Sequence, residues 1–143
     1  DDVISAAHNL NPMQQEGFVV VDKNFNRVKI KSPQYVAIHH LKDRLTEKGI
    51  LDIVKTNEGS EFLAYFPEMS SMYHSLLERF NNKAQEAEEL YHRTAGIESR
   101  KDFAIAIKDK PYASALFLLR DKKISAVIDW FKSCDTKKLL KFI

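Results

Sequence analysis

The spacing of apolar residues changes once along this chain, at Ser32. Upstream of Ser32, two short runs rich in valine and isoleucine have the composition and period of β-strands, at 17–21 and 27–31. Downstream, apolar residues recur about every three and a half positions, which is the period of a helix. Only four glycines and four prolines occur in 143 residues, too few for a loop-rich chain. The sequence predicts an α+β fold, predominantly α, with a β-hairpin followed by a helical domain.

Residues suited to helix ends divide the chain into helices. Ser32 can cap a helix that opens at Pro33, and Ser99 and Asp135 can cap two later helices. Gly96 is expected to end the longest helix. The predicted helices span 3–10, 33–44, 46–54, 60–66, 68–94, 99–107, 111–120 and 124–133, with a last one after Asp135. Acidic residues on the outer face of the longest helix are expected only to keep it solvated: Glu78, Glu86, Glu88 and Glu89.

The two strands are expected to pair antiparallel, because the loop at 22–26 has the length and composition to reverse the chain. A lone hairpin is marginal in water. The apolar residues of this hairpin need a surface to cover: Val19, Val21, Val28 and Ile30. We therefore expect the strands to belong to a larger sheet whose other strands lie outside this chain.

One acidic and two basic residues flank or lie on these strands. Lys29 and Lys31 project to one face, because side chains alternate along a strand, and Glu16 is expected to share a face with Phe18 and Val20. If the three charges converge, they suit a polyphosphate and its metal ion: the carboxylate is a hard oxygen ligand, and the ammonium groups neutralise phosphate oxygens. The alternative is that the two lysines only lie on a solvated strand face or protect a sheet edge against aggregation, and that the Glu-Gly pair is only a turn.

The segments EGFVVVD at 16–22 and VKIKS at 28–32 resemble the last two motifs, IV and V, of the covalent nucleotidyltransferase superfamily. That superfamily contains the ATP-dependent RNA and DNA ligases and the mRNA capping enzymes. The continuation KIKSPQYVAIHHLKD is similar to RNA ligases of the bacteriophage T4 RNA ligase 1 type, over about residues 11–43. DNA ligases and capping enzymes follow motif V with a small β-barrel. The helical pattern after Ser32 therefore favours the RNA ligases.

The resemblance implies roles for specific residues. Glu16 would help bind the metal, Mg²⁺, that accompanies ATP or the adenylate. Lys29 and Lys31 would contact the nucleotide phosphates and promote transfer of AMP to the enzyme's lysine, and His39 in the next helix could approach the same pocket. The implied reaction seals 5′-phosphate and 3′-hydroxyl RNA ends through lysyl-AMP and RNA-adenylate intermediates, in RNA repair.

The family's nucleophile lies in a Lys-x-Asp-Gly motif, and this sequence contains none; the nearest match, KDKP at 108–111, lacks the glycine. We therefore expect residues 1–31 to be the end of a nucleotidyltransferase domain and residues 32–143 a helical C-terminal domain. The missing N-terminal part of the same protein would be a required partner. The chain alone is expected to be inactive.

Charge is distributed unevenly, although the net charge is only +2. Residues 58–102 contain nine acids and five bases, whereas residues 110–143 contain eight bases and three acids. On an RNA ligase the basic end could bind the phosphate backbone of a substrate such as a broken tRNA. The candidate RNA-binding residues are Lys122, Lys123, Lys137 and Lys138. The alternative is an ordinary solvated helical surface.

Other features place limits on the class of protein. The first fifteen residues do not resemble a signal peptide, and no apolar run approaches the roughly 20 residues of a membrane span. A single cysteine, Cys134, fits a reducing compartment and is expected to be buried. We expect a cytoplasmic protein with no membrane partner. Two other functions stay open: a noncatalytic helical module that binds RNA or protein, and another nucleotidyltransferase such as a capping enzyme.

Overall fold

A computed structural model describes residues 2–42 and 45–143 in two compact units, Asp1–Thr46 and Glu47–Ile143. The first unit contains α1 (Asp2–His8), β1 (Gly17–Val21), β2 (Arg27–Lys31) and α2 (Pro33–Lys42). The second contains α3 (Glu47–Thr56), α4 (Gly59–Tyr65), a 3-10 turn (Pro67–Met69), α5 (Ser70–Thr94), α6 (Arg100–Ile107), α7 (Ala113–Arg120), α8 (Val127–Ser133) and α9 (Thr136–Leu139). The predicted α+β, mostly helical fold is confirmed.

The first unit is built on the predicted hairpin. β1 and β2 pair antiparallel, with Val19 opposite Lys29, and α1 contacts both strands. Asp22 shapes the turn, because its Oδ1 accepts the backbone N–H groups of Asn24 at 2.8 Å and Asn26 at 2.9 Å. Phe25 lies at the tip with a φ of 63° and is 82% exposed. The turn thus holds a large apolar side chain in solvent.

Ser32 connects β2 to α2. Its N–H donates to the carbonyl oxygen of Glu16 at 2.9 Å, and its Oγ accepts the N–H of Tyr35 at 3.4 Å, as an N-cap does. The residue is fully buried. Helix α2 was predicted to reach about Arg44; it extends to Lys42, and residues 43 and 44 lie outside the described part of the chain. Helix α2 falls in the first compact unit, which ends at Thr46. The domain boundary after Lys31 stays a prediction.

The second unit packs around the long helix α5. An apolar stripe of α5 is buried at Tyr73, Leu76, Phe80, Ala84 and Ala87, and half-buried at Leu77 and Tyr91. Helices α3 and α8 contact α5. The fully buried Phe131 of α8 meets the rings of Phe80, Tyr112, Trp130 and Phe142. This aromatic cluster gives the helical unit a core of its own.

The acidic face of α5 does more than the sequence predicted. Glu86 accepts a hydrogen bond from the hydroxyl of Tyr112 at 2.7 Å and pairs with Lys83 at 2.7 Å. Glu88 accepts the N–H of Val127, the first residue of α8, at 3.3 Å. The prediction that these two carboxylates serve only solvation is therefore wrong, because each forms a hydrogen bond with a distant segment of the chain.

No helix in the described residues is both long and apolar enough to cross a membrane.

Candidate phosphate and metal site

The structure brings Glu16, Lys29 and Lys31 together. Glu16 Oε1 lies 2.6 Å from Lys29 Nζ and 3.1 Å from Lys31 Nζ. The side chains are 36%, 51% and 45% exposed, respectively. These three residues, called the trio below, form an open cluster that ions in solvent can reach.

Gly17 explains how Glu16 reaches the lysines. In the observed register Phe18 lies opposite Ile30, so strict alternation would put Glu16 on the face away from the lysines. Gly17 has a φ of 155°, which L side chains rarely adopt, and the contacts of Glu16 with both lysines show that its carboxylate nevertheless reaches them. The expectation that Glu16 shares a face with Phe18 was therefore wrong.

Gly17 also has no room for a side chain. An added Cβ would collide with the carbonyl oxygen of Ile30 and lie 2.8 Å from the Cα of Lys31. The sequence signal was the Glu-Gly pair before a valine run, which indicates an unusual backbone at the strand entry but not its direction. Gly17 therefore positions the carboxylate of the trio.

The charges of the trio stabilise one another. Hydrogen bonding to Lys29, and then to Lys31, holds the pKa of the Glu16 carboxyl below its ordinary value of 4.5. The carboxylate is thus ionised at neutral pH, and the trio carries one net positive charge. A cluster of this charge could attract a phosphate group, and its carboxylate could bind a cation.

The arrangement suits a metal-polyphosphate ligand. Mg²⁺ is usually held by one or two carboxylates together with phosphate oxygens and water. Among residues 2–42 and 45–143 no group of three or more His, Cys, Asp or Glu side chains is placed to hold a metal. Glu16 would therefore act as a single protein ligand, and Lys29 and Lys31 would bind the phosphates. Both lysines contact Oε1, so a metal bound through that same oxygen would compete with them for Glu16.

The first unit also contains a small cleft on α2. It is lined by Tyr35, Ile38, His39 and Lys42, with Pro12 from the segment before β1. The Tyr35 and His39 rings are 6.0 Å apart. Of these residues, sequence reasoning had singled out only His39. The cleft combines two rings with one cation, a chemistry that suits a small planar or anionic group.

The predicted RNA-binding lysines lie on two separate elements. Lys122 and Lys123 follow α7, and Lys137 and Lys138 lie in α9; all four are exposed. Lys122 has a φ of 55°, an uncommon backbone for a non-glycine residue. Sequence reasoning missed that Lys138 Nζ lies 5.6 Å from the centre of the Trp130 ring.

Cys134 is buried, as predicted, and burial raises the pKa of its thiol. Lys55 Nζ donates to its carbonyl oxygen at 2.6 Å, so the surrounding contacts are structural.

A comparison with known proteins finds no family model, no curated protein and no solved structure that matches this chain. The functional proposal therefore depends on the residues and their geometry.

Proposed function

We propose that this chain is the C-terminal portion of an ATP-dependent RNA ligase. One observation supports the proposal most directly: the ammonium groups of Lys29 and Lys31 both lie within 3.1 Å of Glu16 Oε1. These are the three residues to which the motif resemblance gives metal-binding and phosphate-binding roles. Their positions are compatible with those roles, since they are charged, adjacent and accessible.

The proposed reaction has three steps. A lysine outside this chain attacks the α-phosphorus of ATP, which forms lysyl-AMP and releases pyrophosphate. The 5′-phosphate of an RNA end then takes the AMP and frees the lysine. Attack by a 3′-hydroxyl on the activated phosphate forms the phosphodiester bond and releases AMP.

Within these steps the residues of this chain act by positioning and charge, as is usual in phosphoryl transfer. Lys29 and Lys31 orient the phosphates and neutralise the negative charge that the leaving pyrophosphate and AMP develop. Glu16 would hold the divalent cation, and Mg²⁺ bound there would supply further charge neutralisation. The low pKa of Glu16 suits this role, because a metal ligand must be deprotonated.

The exposed hairpin supports the proposal that the missing N-terminal part of the same protein is a partner. Val19 is 57% exposed and Val28 is 61% exposed, although both lie on paired strands. Further strands of a nucleotidyltransferase domain would cover such residues. We place the reaction in the cytoplasm, where ATP and broken tRNA meet.

The proposal is tested on the longest product of the gene, with labelled ATP and Mg²⁺. Lys29→Ala and Lys31→Ala should abolish protein adenylylation and end joining while the circular dichroism spectrum stays unchanged. Lys23→Ala, in the exposed turn of the same hairpin, is the matched control and should leave both activities intact. The chain of 143 residues should not adenylylate itself. Protein-bound AMP on this chain would contradict the proposed absence of the nucleophile.

A second candidate is a noncatalytic helical module that binds RNA or protein. The observation in its favour is that the larger compact unit, Glu47–Ile143, consists of helices with exposed lysines at its C-terminal end. The same experiment separates the two candidates. A binding module would show neither adenylylation nor end joining as the wild type, so the Lys29 and Lys31 variants would not differ from it.

A further inference from the structure

Trp130 is the single tryptophan of the chain and lies half-buried on α8. The ring of Phe131 is 5.4 Å from its ring, at an interplanar angle of 73°, and anchors it to the core. The ammonium of Lys138, from α9, lies 5.6 Å from the indole centre. A half-buried aromatic ring thus lies beside an exposed cation.

The carboxylates near this ring already have partners in the fold. Asp129 accepts the N–H of Ala126 at 3.2 Å, and Asp135 accepts the N–H of Lys138 at 2.9 Å. Asp52, on α3, accepts the hydroxyl of Thr136. These acids are therefore engaged in capping and bridging contacts.

Two kinds of lysine occur in the same region. Lys55 is only 13% exposed and donates to Cys134 O at 2.6 Å and Thr136 Oγ1 at 2.9 Å, so the fold uses its charge internally. Lys137, Lys138 and Lys141 are exposed, and no ion pair involves them among the residues that the structure describes. Their charge remains available to an external anion.

We propose that Trp130, Lys137, Lys138 and Lys141, called the α8–α9 surface below, bind single-stranded RNA. An unpaired base would stack on the indole, and the three lysines would contact phosphates. Lys138 can leave the ring for a phosphate, because base stacking is stronger than an exposed cation–π contact. This inference rests on the proposed function, which makes RNA the substrate. Lys122 and Lys123 follow α7 and are not part of this surface.

The direct test is the fluorescence of Trp130 during titration of the whole chain with a short oligouridylate. Stacking should quench the emission saturably, and added salt should weaken the affinity steeply, because counterions are released from the phosphates. Replacing Lys137, Lys138 and Lys141 together by Gln should lower the affinity about tenfold or more. The matched control is a triple Gln variant at three exposed lysines outside this surface, Lys48 on α3, Lys101 on α6 and Lys108 just after α6, and it should bind like the wild type.

The contribution of the ring is measured with fluorescently labelled RNA, since the variants lack the indole. Trp130→Leu should lower the affinity about fivefold or more, and Trp130→Phe should lose less, because phenylalanine still stacks. Circular dichroism checks that both variants stay folded. Equal affinity of the wild type and Trp130→Leu would overturn the stacking assignment.

Three further outcomes decide the inference. An unquenched titration would overturn it, and so would equal quenching by polyglutamate, which would indicate an acidic protein partner. If the quench persists while the longest gene product fails to adenylylate, the α8–α9 surface is supported and the ligase proposal fails.

Discussion

The two compact units differ in what surrounds their apolar side chains. In Glu47–Ile143 the large side chains are interior, and Phe62, Phe103 and Phe131 are at most 1% exposed. In Asp1–Thr46 the hairpin leaves Val19 and Phe25 57% and 82% exposed. The helical unit therefore has a core of its own. The hairpin has the composition of an interior sheet without the cover that such a sheet needs.

From this contrast we expect the candidate site to lie on the less stable part of the molecule. The trio lies on β2 and just before β1, where stability comes from the Asp22 turn, the pairing of the strands and contacts with α1. Segments that bind ligands often have low local stability. Substitutions in the core should therefore affect global stability, and substitutions around the trio should affect ligand binding.

The largest expected effect tests the core of the helical unit. Phe131→Ala removes a fully buried ring from a cluster of four other aromatic side chains and should cost about 3–5 kcal/mol in the free energy of unfolding. Phe25→Ala, at the hairpin tip, should change it by less than about 0.5 kcal/mol. Urea denaturation followed by circular dichroism measures both. Similar costs at the two positions would erase the contrast between the units.

The next effect concerns the backbone beneath the trio. Gly17→Ala should destabilise the hairpin by about 1–3 kcal/mol, because alanine must adopt a conformation nearly restricted to glycine and its Cβ meets the Ile30 carbonyl. Amide hydrogen exchange of β1 and β2 reports the change. Gly96→Ala is the control, since a Cβ there meets no atom within 4 Å. Unchanged exchange in the Gly17 variant would show that the strand entry tolerates a side chain.

A smaller effect is expected at the acidic face of α5. Tyr112→Phe removes the hydrogen bond to Glu86 and should cost about 1–2 kcal/mol at neutral pH, since the carboxylate is partly exposed to water. Lys83 first, and then Tyr112, lower the pKa of Glu86 from 4.5. Ionised Glu86 therefore contributes stability above pH 4.5, and this contribution is lost as the pH falls through the lowered folded-state pKa.

The sign of that pH dependence can be checked directly. Stability curves of the wild type and Tyr112→Phe should converge as the pH falls below 4.5, because protonated Glu86 is a weaker acceptor. Glu86→Gln, which has no charge to lose, should reduce the same part of the acid sensitivity. A wild-type curve that stays parallel to the Tyr112→Phe curve down to low pH would contradict this role for Glu86.

The smallest effect concerns competition within the trio. Glu16→Gln frees Lys29 and Lys31 from their carboxylate partner and should strengthen the binding of metal-free pyrophosphate about threefold. The same variant should lose the increase in affinity that Mg²⁺ gives the wild type. Calorimetric titrations with and without Mg²⁺ measure both quantities. Weaker metal-free binding in this variant would mean that Glu16 does not compete with phosphate.

Local patterns predicted the parts of the fold that local physics determines. Both strands lie at their predicted bounds, because a short turn with good turn residues separates two β-branched runs. Ser99 and Asp135 cap α6 and α9 through their side chains, as predicted. The pairing of Lys29 and Lys31 on one face also followed from strand spacing, whereas the contact of Glu16 with both lysines did not, because alternation in the observed register puts Glu16 on the other face.

Features that depend on distant partners or on unusual backbone geometry could not be predicted. The partners of Glu86 and Glu88, Tyr112 and Val127, lie 26 and 39 residues away along the chain. Helix α5 ends at Thr94, just before Gly96, as predicted, but Gly96 does not adopt a positive φ, whereas Lys122 does after α7. Residue type alone does not indicate which helix ends in the left-handed conformation.

The central claim is that Lys29 and Lys31 bind phosphate and Glu16 binds its metal. The most direct measurement is a calorimetric titration of this chain with pyrophosphate in the presence of Mg²⁺. We predict saturable binding that Lys29→Gln and Lys31→Gln each weaken about tenfold and that Lys23→Gln leaves unchanged. Equal affinity in all four proteins, or no binding to the wild type, would contradict the claim.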